Sequence, residues 1–94
     1  MPKVVRLGDK CSGHGDYPSR PSTSASPNVF VDGIPVVREG DSWASHCNPF
    51  QCHSGTSGTG SSTVFANGLP LSRVGDKVSC GSIMVEGSPT TYSN

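Results

Sequence analysis

The stretch VFVDGIPVVREGD at residues 29–41 returns as VFANGLPLSRVGD at residues 64–76. Both copies keep Val-Phe, Asp or Asn before Gly, an aliphatic residue, Pro, and a closing Arg-x-Gly-Asp, at an offset of 35 residues. Such a period decides an architecture, because each copy is one small unit that buries its apolar face only against the others. Partial copies flank the pair. VVRLGDKCS (4–12) repeats the second half, and SPTTYSN (88–94) repeats the first half as it stands in SPNVFVDG (26–33). The unit therefore occurs three times, and the chain opens and closes in mid-unit.

Each unit reads as a β-hairpin. Asp32-Gly33 and Asn67-Gly68 are strong hairpin signals, since a type I′ turn needs positive φ at both central residues and Asn/Asp-Gly tolerates this best. Val29 and Val31 precede the first turn, and Val36 and Val37 follow it. Pro35 and Pro70 have no N–H to donate, so each is expected at an edge or turn. Gly-Asp at 8–9, 40–41 and 75–76 is expected to close each second strand with a tight turn. The reading is three ladders of short strands around a common centre. A body with three similar faces suits the end of a symmetric trimer.

Composition agrees with this reading. Twelve Gly and eight Pro in 94 residues disfavour helix interiors, and no window shows a 3.6-residue period. One domain spanning 1–94 is expected. With 32% hydrophobic and 6% aromatic residues, apolar burial alone barely offsets the conformational entropy of folding, so a metal, disulfides or a partner must contribute. Seven acids balance seven bases, which gives no reason to expect a nucleic-acid partner. The N-terminus MPKVVRLGDK lacks a hydrophobic signal core, and no apolar run is long enough to span a bilayer.

HCNPFQCHSG (46–55) holds two of the three histidines and two of the four cysteines. With Cys11, His14 and Cys80 it makes seven potential metal ligands, all expected in the segments between repeats, beside turns rather than inside strands. A tetrahedral zinc site needs four of them and can replace a missing core. Three readings are open on the residues alone. His14, His46, His53 and Cys80 bind the ion, or the four thiolates Cys11, Cys47, Cys52 and Cys80 do, or the cysteines form two disulfides in an oxidising compartment. Asp9, Asp41 and Asp76 each follow Gly at a strand end, so turn chemistry is their expected duty.

These motifs resemble the PAAR-repeat proteins, whose name-giving tetrapeptide stands here as PVVR (35–38) and PLSR (70–73), accompanied by CSGHG (11–15), VSCGS (78–82) and VEGSP (85–89). The resemblance covers roughly residues 4–94. It implies an all-β fold, a small cone of short β-hairpins with pseudo-threefold symmetry and a structural zinc near the apex, held by His14, His46, His53 and Cys80. Cys47 and Cys52 are left to form a local disulfide or, like Cys11, to serve as small buried hydrophobes.

The implied function is mechanical. Members of the family cap and sharpen the trimeric β-helical spike of a type VI secretion system or a contractile phage tail, one copy per trimer, and make transient contact with a target membrane. The implied location is the tip of that machine, assembled in the bacterial cytoplasm and then secreted, or carried in a virion tail. Any effector cargo would be bound through the surface. Val29, Phe30, Ile34, Val64, Phe65 and Leu69 are expected to share the interior and the docking face. No catalytic role is expected, since four protein ligands leave zinc no open position for water. Two rival readings are a secreted disulfide-stapled binding module and a small zinc hydrolase.

Overall fold

Both Asx-Gly pairs adopt the backbone expected of them. Asp32 and Asn67 lie at φ 56° and 55°, followed by Gly33 and Gly68 at 75° and 77°. In this computed structural model, which describes residues 1–94, the first turn joins β1 (Phe30–Val31) to β2 (Ile34–Pro35). The second joins β5 (Phe65–Ala66) to β6 (Leu69–Pro70). Phe30 faces Pro35 and Phe65 faces Pro70. The flanking bond runs from the Val36 N–H to the Val29 carbonyl, and from Leu71 to Val64 in the second copy. The prolines thus occupy pair positions where the ladder asks for no donor.

The third hairpin is assembled from the two ends of the chain. Lys3 pairs with Tyr92 in antiparallel sense. The Ser93 N–H donates to the Pro2 carbonyl, and the Val4 N–H to that of Thr91. The half-units read from the sequence are therefore two strands of one hairpin.

What joins the three units is a closed ring of backbone hydrogen bonds. The Val5 N–H donates to the Ser72 carbonyl, Ser72 to Val37, and Val37 back to Val5, at 3.0–3.1 Å. All three residues are fully buried. The bonds Leu7 to Pro35, Glu39 to Pro70 and Val74 to Lys3 repeat the threefold pattern one step along. Ser26, Ser61 and Ser88 repeat it again, each hydroxyl accepting from the backbone N–H two and three residues on. Units at equivalent positions satisfy one another's backbone, so the short strands leave few polar groups stranded.

Each Arg-x-Gly-Asp forms a turn and an ion pair. Asp9, Asp41 and Asp76 return their N–H to the carbonyls of Arg6, Arg38 and Arg73. Each carboxylate accepts from that arginine's backbone N–H and from its guanidinium. Burial opposes ionisation of Asp41, but the bonds from Arg38 and Ser24 prevail and hold its carboxyl below the usual range. Turn chemistry is thus their role, with an arginine partner added.

The core divides at the ring, because neighbouring residues of a strand point to opposite faces. Val4, Val36, Ala66 and Leu71 pack on one side. Val5, Val37, Trp43, Val78, Met84 and the free Cys11 pack on the other. The six apolar residues expected to share the interior do not fill it. Val29, Phe30, Val64, Phe65 and Leu69 are exposed and Ile34 is half-buried. Two-residue strands turn these side chains outward around a shallow apolar cup of about 300 Å³ at the wide end. At the opposite end a single hairpin, β3 (Ser42–Cys47) with β4 (Cys52–Thr56), projects from the core. No residue is helical. The result is an all-β cone of 38 × 23 × 22 Å.

Candidate metal centre

The β3–β4 hairpin places His46 opposite His53 and, one pair further out, Cys47 opposite Cys52. These four residues therefore lie inside strands, contrary to the expectation that every potential ligand sits beside a turn. A register irregularity between Trp43 and His46 divides the hairpin. Trp43 is buried in the core and donates from its indole N–H to Ser57 Oγ, and His46 is 2% exposed at the start of the outer part.

Cys47 and Cys52 are joined by a disulfide. This rules out the four-thiolate site, since only Cys11 and Cys80 remain free. Nor are there two disulfides, because Cys11 and Cys80 are not bonded to each other. Cys11 is packed in the core as a small hydrophobe, whereas Cys80 lies with the histidines.

His14 is brought in by a tight turn. The His14 N–H donates to the Tyr17 carbonyl, and the Tyr17 N–H to that of His14. Gly13 and Gly15, at φ 73° and 52°, let the chain fold back on itself. A Cβ on Gly13 would stand 2.4 Å from the Tyr17 carbonyl oxygen. Cys80 comes from a turn closed by the bonds Gly81 to Val78 and Val78 to Ser82. Its thiol is directed toward Ser82 Oγ at 3.7 Å.

The ligand atoms of His14, His46, His53 and Cys80 all lie within 4.8 Å of one another. Nε2 of His53 is 3.0 Å from that of His14 and 2.7 Å from that of His46. His46 Nδ1 bonds to the Pro18 carbonyl at 2.8 Å, so Nδ1 carries the proton and Nε2 offers its lone pair to the centre. Burial, followed by the His46 and His14 imidazoles, pushes the His53 pKa below the ordinary histidine value. This favours the neutral, ligating form.

The donor set fits a zinc-like ion. Bonds of about 2.0–2.1 Å to nitrogen and 2.3 Å to sulfur set tetrahedral nitrogens about 3.3 Å apart, so the two close nitrogen pairs would open by a few tenths of an ångström while the widest separation, up to 4.8 Å, would close. Imidazole and thiolate donors suit zinc rather than harder ions. Four donors would fill the tetrahedron, and the ion they held would be structural.

Tyr17 and Pro18 belong to this centre and were not found from the sequence. The Tyr17 ring lies 4.1, 4.8 and 4.9 Å, centroid to centroid, from those of His53, His14 and His46. Stacking has no spacing signature, and only the paired glycines of SGHGDYP hinted at a turn tight enough to produce it.

Among known families, the model described as PAAR motif matches residues 12–86. No curated protein matches the chain significantly.

Proposed function

The chain belongs to the PAAR-motif family, and we propose that it is the structural tip of a contractile injection machine. It would cap the trimeric β-helical spike of a type VI secretion system or a phage tail, one copy per trimer. Assembly would take place in the bacterial cytoplasm, followed by secretion or packaging in a virion tail. The observation that carries this reading is the contrast between the two ends of one pseudo-threefold body.

At the wide end Phe30, Phe65 and Tyr92 occupy equivalent positions and are 54%, 54% and 50% exposed, with Phe65 and Tyr92 lining the apolar cup. Three exposed aromatics at threefold spacing match a partner with three equal subunits. Short strand edges beside them would carry on the ladders of the spike. At the other end His14, His46, His53 and Cys80 would hold a structural zinc ion where there is no volume for a packed core. Beyond them the hairpin ends in Phe50, which is 92% exposed. No Asp, Glu, Lys or Arg occurs between Asp41 and Arg73, so the β3–β4 hairpin would enter a target membrane with no charged side chain of its own to strip of water.

A secreted, disulfide-stapled binding module is favoured by one observation, the Cys47–Cys52 bridge. That bridge spans a sequence separation of 5. A loop so short restricts the unfolded chain little, and cannot stand in for a core. A zinc hydrolase would need a ligand position open to water.

The test is co-purification with a trimeric β-helix fragment. One chain per trimer, lost in Phe65→Glu at unchanged thermal stability, supports the cap. No complex with any spike fragment encoded beside the gene refutes it.

A further inference from the structure

We propose that Tyr17 is a positioning residue that covers the metal centre, and that the His14–Pro18 turn carrying it is the door for the ion. The inference rests on the metal-binding reading of His14, His46, His53 and Cys80.

One turn supplies three things to the site. His14 gives a ligand, the Tyr17 ring spreads over His14, His46 and His53, and the Pro18 carbonyl holds His46 Nδ1. An aromatic ring on one side of the cage keeps water and chelators from the bonds it covers. The other ligands are held more firmly. His46 and His53 are cross-strand partners, and the adjoining Cys47–Cys52 disulfide keeps their strands together. Cys80 sits in a turn closed by two backbone bonds and is packed against the buried core. The His14 turn also has two backbone bonds of its own, and its base is pinned by the Ser12 N–H on the Ile83 carbonyl and Ser19 Oγ on the Cys11 carbonyl, but its apex, Gly15 and Asp16, is exposed where Cys80 is packed on the core. Swinging it outward removes a ligand and the cover together and leaves the hairpin intact.

The Tyr17 hydroxyl is buried without a hydrogen-bond partner. The ring therefore carries the role and the oxygen does not, which separates Tyr17→Phe from Tyr17→Ala.

The experiment loads the full chain with Co(II), whose visible absorption reports the ligand set, and follows loss of that absorption into excess EDTA. Tyr17→Phe should release cobalt within about twofold of the wild-type rate. Tyr17→Ala should release it about 10–100-fold faster with its starting spectrum unchanged. Tyr17→Leu, which keeps apolar bulk in case alanine collapses the turn, should also release faster than Tyr17→Phe. Gly13→Ala, which forces the backbone of the turn apart next to His14, should accelerate release at least as much as Tyr17→Ala, whereas Cys47→Ser with Cys52→Ser should accelerate release less. A wild-type rate in Tyr17→Ala, equal acceleration in Tyr17→Phe, or faster release from the disulfide variant than from Tyr17→Ala would each overturn the door while leaving the metal site standing. A wild-type chain that takes up no cobalt would overturn both.

Discussion

Replacing Asp41 by alanine should cost this small domain about 3 kcal/mol, a sizeable share of the roughly 5–15 kcal/mol that holds a domain folded. The Asp41 carboxylate accepts four hydrogen bonds, from the Arg38 backbone N–H at 2.7 Å, Arg38 Nε at 3.0 Å, Arg38 Nη2 at 2.9 Å and Ser24 Oγ at 3.0 Å. The paired side chains are 14% and 6% exposed, so removing one partner strands a largely buried cation at about 3–5 kcal/mol. Arg38 also donates to Asn67 and to the Ala25 carbonyl, which keeps the cost at the lower bound. At about 4–8 °C per kcal/mol for a domain of this size, the melting temperature should fall by roughly 12–24 °C. Urea unfolding of the metal-loaded chain, followed by fluorescence of its one tryptophan, Trp43, reads the change directly. Asp41→Asn should lose nearly as much, because an amide in either orientation sets N–H groups against the donors now satisfied. Glu39→Ala, on the exposed side of the same turn, is the control. The pH dependence follows from the lowered folded-state pKa of Asp41. The contribution is complete above the unfolded value of about 3.9 and fades as pH falls through the folded one, so Asp41→Ala should show a shallower acid limb. A change under about 0.5 kcal/mol would refute the claim that these turns stabilise the fold.

His53→Ala should lower zinc content and thermal stability together; calorimetry with elemental analysis checks this, and unchanged values in both would contradict the ligand assignment. Chelation of the wild-type protein should reproduce that loss of stability. For the tip, Phe50→Trp should shift its emission to shorter wavelength and be quenched by brominated lipids in zwitterionic vesicles. Trp43 is buried and should stay constant. No quenching at millimolar lipid would remove Phe50 from the membrane contact.

The turns were legible because their chemistry is local. Asp32-Gly33 and Asn67-Gly68 state their backbone angles in two residues, and Arg-x-Gly-Asp recurs at the same place in each unit. The orientation of the apolar residues was not legible. A strand of two residues is too short for alternation to set its phase, so the sequence could not divide residues such as Val29 and Phe30 between interior and docking face, and Val36, Val37 and Ser72 fill the centre. Ser72 is the strongest case, a polar residue buried because its backbone closes the ring. The inner and outer hairpin at 42–56 hid for another reason. SWASHC and CHSGT hold a single β-branched residue, Thr56 at the very end, and the pairing is held by Trp43, the disulfide and the surrounding packing. The set His14, His46, His53 and Cys80 could be proposed from the residues but chosen over the four-thiolate set only by family resemblance, since its sequence spacing matches no standard finger. Tyr17 could be found only in three dimensions.

The terminal hairpin carries a consequence for engineering. Asn94 stands where Asp32 and Asn67 stand in the other units, and Met1 stands where Gly33 and Gly68 do. Ligating the last residue to the first, with Met1→Gly, would write a third Asn-Gly pair and turn the protein into a closed loop with three similar corners. Cutting such a circle at any of the three should yield permutants with the same shape, because nothing in the buried ring of carbonyls and amides records where the chain began.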